Sequence, residues 1–111
     1  MKMIDIWINC PNHQTAEEIA KALLDSRQIA CSNIFPEVRS SYRWKGRIES
    51  ESEVPLVVKT REEFFSLVEE SVGKLHPYET PSIIGVPVEM VNEDDLAWVY
   101  EETEQESDRG T

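Results

Sequence analysis

Ile4-Asp5-Ile6-Trp7-Ile8-Asn9-Cys10 sets the frame for the rest of the chain. Isoleucine at every second position, alternating with Asp5, Trp7 and Asn9, is the period-two pattern of a strand with one face buried. Cys10 continues the isoleucine phase, so its thiol belongs on the core side or at the strand's end. Pro11-Asn12 then breaks the strand. Thr15 and Glu18 have the S/T-x-x-E spacing in which each side chain satisfies a free amide of a helix's first turn. Ala16, Ile19, Ala20, Leu23 and Leu24 follow as an apolar stripe, with Glu17, Glu18, Lys21 and Asp25 outside it. This predicts a helix over about residues 15–27.

Downstream, Ile29 to Phe35 reads as a strand that enters at a buried Ala30-Cys31 and is bent or bulged at Pro36. Val38, Ser40, Tyr42 and Trp44 then share one face of an extended stretch, with Arg39, Ser41, Arg43 and Lys45 on the other. Lys45-Gly46 supplies a tight turn, and Arg47-Ile48-Glu49 begins the return strand. That strand's apolar core is Val54 to Val58, where Pro55 lacks an amide hydrogen and requires an edge or a bulge. Thr60 and Glu63 repeat the capping spacing and predict a second helix with Phe64, Leu67, Val68, Val72 and Leu75 inward and Phe65 on the flank. Pro77 stops it near His76. A proline-pinned loop over residues 76–81 leads to a last strand carrying Ile83, Ile84, Val86 and Val88. Asn92 is placed to cap a third helix that buries Leu96, Val99 and Tyr100. Residues 104–111 have nothing to bury and are predicted to fray as an acidic tail beyond a single domain at 1–103.

The element order predicts an α+β, ferredoxin-like βαββαβ fold with a long hairpin between its second and third strands and an added C-terminal helix. Two helices cover one sheet face. The other face carries Trp7, Tyr42 and Trp44 with nothing left in the chain to cover it, so a second copy is the expected partner. Tyr42 and Trp44 are the candidate interface anchors.

Composition narrows the function classes. The chain has 111 residues, with 11 Lys+Arg against 22 Asp+Glu, for a formal charge of −11. No basic cluster stands clear of acidic neighbours, which argues against nucleic acid and against anionic membrane surfaces. No apolar run approaches the roughly 20 residues of a membrane helix. Met1-Lys2-Met3 runs straight into the first strand rather than a signal peptide, and two cysteines make no disulfide framework. Reduced thiols and a cytoplasmic location are the expectation.

The candidates for chemistry are few. Cys10-Pro11-Asn12-His13 has the spacing of a two-ligand metal hook, and it reads equally as a small strand-end thiol beside a loop histidine. His76, fixed between a helix end and Pro77, is a second, alternative ligand candidate beside an acidic neighbour such as Glu79, and reads equally as a partner for the helix C-terminus. No Gly-x-Ser-x-Gly, glycine-rich phosphate loop or dinucleotide fingerprint is present. Acidic pairs such as Glu62-Glu63 and Asp94-Asp95 fall on solvated helix faces rather than forming a general acid and base. The expectation is a protein that is not an enzyme.

Three segments in order carry a resemblance: Ile29-Ala30-Cys31-Ser32-Asn33-Ile34-Phe35-Pro36, Tyr42-Arg43-Trp44-Lys45-Gly46-Arg47-Ile48 and Leu75-His76-Pro77-Tyr78-Glu79-Thr80-Pro81. With Cys10-Pro11-Asn12 and Leu96-Ala97-Trp98, the chain resembles the CutA divalent-cation-tolerance family over about residues 3–103. The resemblance implies a tight homotrimer of ferredoxin-like subunits linked to copper tolerance, with weakly held Cu(II) or another divalent cation and no cofactor required. In the family member best known for copper, the ligands are a first-strand cysteine and two adjacent histidines before Pro-Tyr. Those positions are Ile8, Leu75 and His76 here, so only His76 matches, and Cys10 and His13 are this chain's own substitutes. The family in turn resembles PII-type signalling trimers. That implies the alternative of a regulator holding a small effector or partner protein in its intersubunit clefts, near Lys59, Tyr78 and Glu79.

Overall fold

β1 (Met3–Cys10) lies between β4 (Arg47–Arg61) and β5 (Ile83–Val88) and is antiparallel to both. The computed structural model describes residues 1–106. β2 (Cys31–Ile34) borders β4 on its far side, giving the order β2-β4-β1-β5. β3 (Val38–Trp44) pairs only with the first half of β4 and completes a five-stranded sheet. α1 (His13–Asp25), a 3₁₀ turn (Glu62–Phe64), α2 (Phe65–Leu75) and α3 (Glu93–Glu102) complete the fold. The fold is ferredoxin-like.

The isoleucine phase holds. Ile4, Ile6, Ile8 and Cys10 stand opposite Thr60, Val58, Leu56 and Val54, and all eight are buried. They pack with Ala16, Ile19, Ala20 and Leu23 of α1 and with Val68 and Val72 of α2. Each such aliphatic contributes about 1.5–3 kcal/mol relative to exposure. Gly85 is part of this packing: a Cβ there would lie 2.7 Å from Ile4 Cδ1 and 2.9 Å from the Phe65 ring. The missing side chain lets Phe65 lie against the sheet.

Both predicted capping boxes are corrected. Asn12 is the cap of α1, and its Oδ1 accepts the Thr15 amide at 2.8 Å, so the helix begins before Thr15 and ends at Asp25. Thr60 lies inside β4, fully buried, and donates its hydroxyl to the Gln28 carbonyl at 2.6 Å. α2 accordingly starts after the 3₁₀ turn, with no side-chain cap. Its inward residues are Val68 and Val72, with Phe65 against the core, while Leu67 and Leu75 are exposed. Leu24 of α1 is likewise exposed. Ala30 and Cys31 are half-buried rather than buried, because Cys31 pairs with Lys59 on the face opposite the helices.

Pro36 and Pro55 mark one irregularity seen from two strands. Ile34 pairs with Leu56 while Val38 pairs with Glu53, so β2–β3 carries one extra residue across this step. Phe35 donates to the Pro55 carbonyl at 2.9 Å, and the amide that Pro55 lacks faces the same gap. Lys45, at φ 50°, and Gly46, at φ 79°, close the hairpin, which draws the molecule out to 51 Å in its longest dimension. α3 is held to the end of β4 by Arg61. Its Nε donates to Thr103 Oγ1 and its guanidinium lies over the Phe64 and Tyr100 rings. Asn92 stands at the start of α3 without a capping bond, and Val99 is the buried residue of that helix, with Ala97 exposed. Gln105 donates to the Arg27 carbonyl at 2.8 Å, so the first tail residues are tied down rather than frayed. The remainder of the predicted tail, 107–111, lies outside the described residues.

Candidate functional site

The sheet face away from α1 and α2 is the first unusual surface. Trp7, opposite Val57 and Ile84, is 40% exposed, and Ile84 is 57% exposed. Phe35 lies beside Trp7 with ring centroids 5.5 Å apart, and Val86 extends the patch. Asp5 and Lys59 stand opposite each other within it, 3.6 Å apart, and the buried Asp5 Oδ1 has no hydrogen-bond partner. The face thus sets an ion pair among exposed aromatic and aliphatic groups.

The second surface is the hairpin. Register places Val38, Ser40, Tyr42 and Trp44 opposite Glu53, Glu51, Glu49 and Arg47, so one face carries aromatic rings beside a column of three glutamates. Trp44 is 54% exposed and Tyr42 somewhat less, whereas Glu53 is 7% exposed. A groove of about 740 Å³ runs between this face and the loop after α2, with Tyr42, Trp44, the three glutamates and Tyr78 along it and Glu79 at its border. Tyr78 donates its hydroxyl to Glu53 Oε2 at 3.3 Å. Desolvation, with the charges of Glu53 and Glu51 behind it, pushes the Tyr78 hydroxyl up to about 12. Desolvation and then Glu51 raise Tyr42 as well. The groove is thus a negative field with aromatic walls.

The predicted metal residues do not converge. Cys10 is fully buried, and burial followed by the Glu53 charge raises its thiol to about 11, away from the thiolate a metal needs. His13 is exposed as the first residue of α1. His76 is buried with both ring nitrogens engaged: Nε2 lies 2.7 Å from the Asn9 carbonyl, and Nδ1 accepts the Tyr78 amide at 3.1 Å. This network assigns the neutral ring with hydrogen on Nε2. His76 therefore pins the Pro77–Tyr78 turn to the end of β1 and offers no free lone pair. Among the described residues, no three His, Cys, Asp or Glu side chains are grouped to hold one metal ion.

Of the predicted cleft residues, Tyr78 and Glu79 border the groove, while Lys59 faces Asp5 on the open sheet face. Lys59 stands six residue steps along β4 from Glu53, about 20 Å of strand. The glutamate column is the feature that sequence reading missed. Its signal was Glu49-Ser50-Glu51-Ser52-Glu53, a period-two acidic run immediately before the apolar core of the same strand.

With this geometry in place, comparison with known proteins places the chain. Residues 4–102 match the family described as CutA1 divalent ion tolerance protein. The chain is 43% identical over 103 residues to the divalent-cation tolerance protein CutA of Pyrococcus horikoshii, covering 93% of this chain and 100% of that one. It is 42% identical over 105 residues to Protein CutA of Mus musculus, covering 95% of this chain but only 59% of the mouse protein. Its structure is similar to that of the periplasmic divalent cation tolerance protein CutA from Archaeoglobus fulgidus, with a TM-score of 0.89 and 39% identity over 92% of this chain and 99% of that one. The chain belongs to the CutA1 divalent ion tolerance family.

Proposed function

We propose that the protein acts in divalent-cation tolerance as a homotrimer, binding rather than transforming its ligand, with Cu(II) as a weak, water-accessible guest. The observation behind the assembly is the open sheet face, where Trp7, Phe35, Ile84 and Val86 stand exposed around the Asp5–Lys59 pair. A threefold arrangement of copies covers such a face and gives Asp5 a drier, better-paired environment. Tyr42 and Trp44 reach the same subunit boundary from the hairpin. The raised Cys10 thiol and the fully engaged His76 ring support binding over nucleophilic or acid–base chemistry.

Cu(II) is preferred because it heads the affinity order for a given donor set. His13 is the imidazole open to solvent, whereas His76 can ligate only by giving up the Tyr78 amide. The two free cysteines support a reducing, cytoplasmic setting. Native mass spectrometry of protein purified without chelator or tag reads stoichiometry and retained metal together. A trimer is expected. Titration of Cu(II) at pH 7.5 and 5.5 into wild type, His13→Ala and His76→Ala should then show weaker binding at the lower pH, where free imidazole takes up a proton. Equal binding in all three proteins at both pH values removes the metal from this function and favours a PII-like regulator, for which the groove beside Tyr78 is the supporting feature.

A further inference from the structure

We propose that the Asp5–Lys59 pair acts as the specificity pin of the open sheet face. It fixes the register and number of copies that meet there and adds little to the tightness of their contact. This rests on the homotrimer reading above. Strand pairing sets Cys31, Lys59, Asp5 and Val86 in one row across the sheet, and Asn33, Val57, Trp7 and Ile84 in the next. The two charges thus occupy the two central strands, one row from the Trp7–Phe35 rings and Ile84. Apolar groups alone give such a face adhesion without direction, because the hydrophobic effect scales with the area removed from water.

Neither charge is satisfied within one chain. Asp5 Oδ1 is buried and has no hydrogen-bond partner. Lys59 Nζ, 3.6 Å from it, lies beyond hydrogen-bond reach and makes no other hydrogen bond among the described residues. The Lys59 and Asp5 side chains are 37% and 26% exposed, so both remain open to whatever covers the face. A purely apolar cover would strip water from both charges and leave the acceptor and the donor unfilled, which is strongly unfavourable. A second copy answers both, because it brings the same acceptor and the same ammonium. The Lys59 ammonium of one copy then donates to the free Asp5 oxygen of the next. Slipped or inverted packings of the same rings bury these groups without partners and are disfavoured. Against apolar side chains of similar size a buried ion pair contributes little net tightness, and its effect falls on which arrangement forms.

Sedimentation velocity and native mass spectrometry of Asp5→Leu, Lys59→Met and the double variant test this. Wild type should be a single species of three chains. Each single variant leaves one uncompensated charge under the cover and should raise the dissociation concentration about a hundredfold. The double variant should recover wild-type tightness or exceed it, yet distribute among several stoichiometries. Exchanging the charges, with Asp5→Lys and Lys59→Asp together, should restore the single species. Both positions lie outside the helix-covered core, and the double and exchange variants keep the test open should a single variant fail to fold. A double variant that remains one species of wild-type stoichiometry, or single variants that assemble as tightly as wild type, would overturn the pin and leave the homotrimer standing. A monomeric wild type would overturn the homotrimer itself, and the pin with it.

Discussion

The two halves of β4 share one strand and have opposite surroundings. From Val54 to Thr60 every residue except Lys59 is buried, and the side chains alternate between the helix-covered core and the open sheet face. From Arg47 to Ser52 the strand is mostly exposed and pairs only with β3, out beyond the helices. The change falls at the Pro36–Pro55 irregularity, where the register steps by one residue. Folding energy therefore resides in one half, and the other is left mostly in solvent. A strand that a single subunit needs only for stability has no reason to continue through Glu-Ser-Glu-Ser-Glu.

Substitutions in the two halves should differ most in their effect on folding. Leu56→Ala opens a cavity among fully buried neighbours and should cost about 2–5 kcal/mol in denaturant unfolding. Ile48→Ala, on the exposed half, should change stability by less than about 0.5 kcal/mol. Similar costs at both sites would break the division.

The alkaline limb of stability sharpens it. The Cys10 thiol is raised from 9.0 to about 11 by burial and then by the Glu53 charge, so the folded state favours the neutral form. The associated stability is fully present below about pH 9 and is lost as pH rises through about 11, a fall of up to about 2–3 kcal/mol. Cys10→Ala should make urea midpoints flatter over that window. An unchanged slope would assign the limb to other groups, Tyr78 first among them, since it is held up to about 12.

In the exposed half the expected losses are in assembly. Trp44→Ala should leave the subunit folded and weaken the trimer by about 2 kcal/mol, the effect of losing an aromatic anchor. A mutant trimer of undiminished stability would take Trp44 out of the interface and leave it to the groove alone. The smallest effect should come from salt. The charge of −11 per chain, with three glutamates in one column, predicts a higher melting temperature at about 150 mM than at about 10 mM ionic strength, as screening shortens from about 30 Å to about 8 Å. A flat response would show that these charges are already paired.

How much of this the sequence announced follows the range of the interactions. The Ile4–Ile6–Ile8 phase, the break at Pro36 and the turn at Lys45-Gly46 are set by neighbours a few residues away, and all were readable. The capping spacing at Thr60 misled because burial against Gln28, 32 residues earlier, holds that threonine in the strand. Asn12 took the Thr15 amide for the same reason in miniature: a better acceptor stood three residues upstream. The site was less legible than the fold. His76 looks like a ligand in sequence, and only the approach of Asn9, 67 residues away, shows both of its nitrogens in use. The acidic column was visible as alternation, but its meaning depended on β3 setting Tyr42 and Trp44 beside it.

The central claim is that the open sheet face and the exposed half of β4 exist to meet other copies of the chain. Sedimentation equilibrium of the wild-type protein across the low micromolar range tests it most directly. A single species of three chain masses, unchanged on dilution, is the predicted result. A stable monomer with Trp7, Phe35 and Ile84 left in water would contradict it.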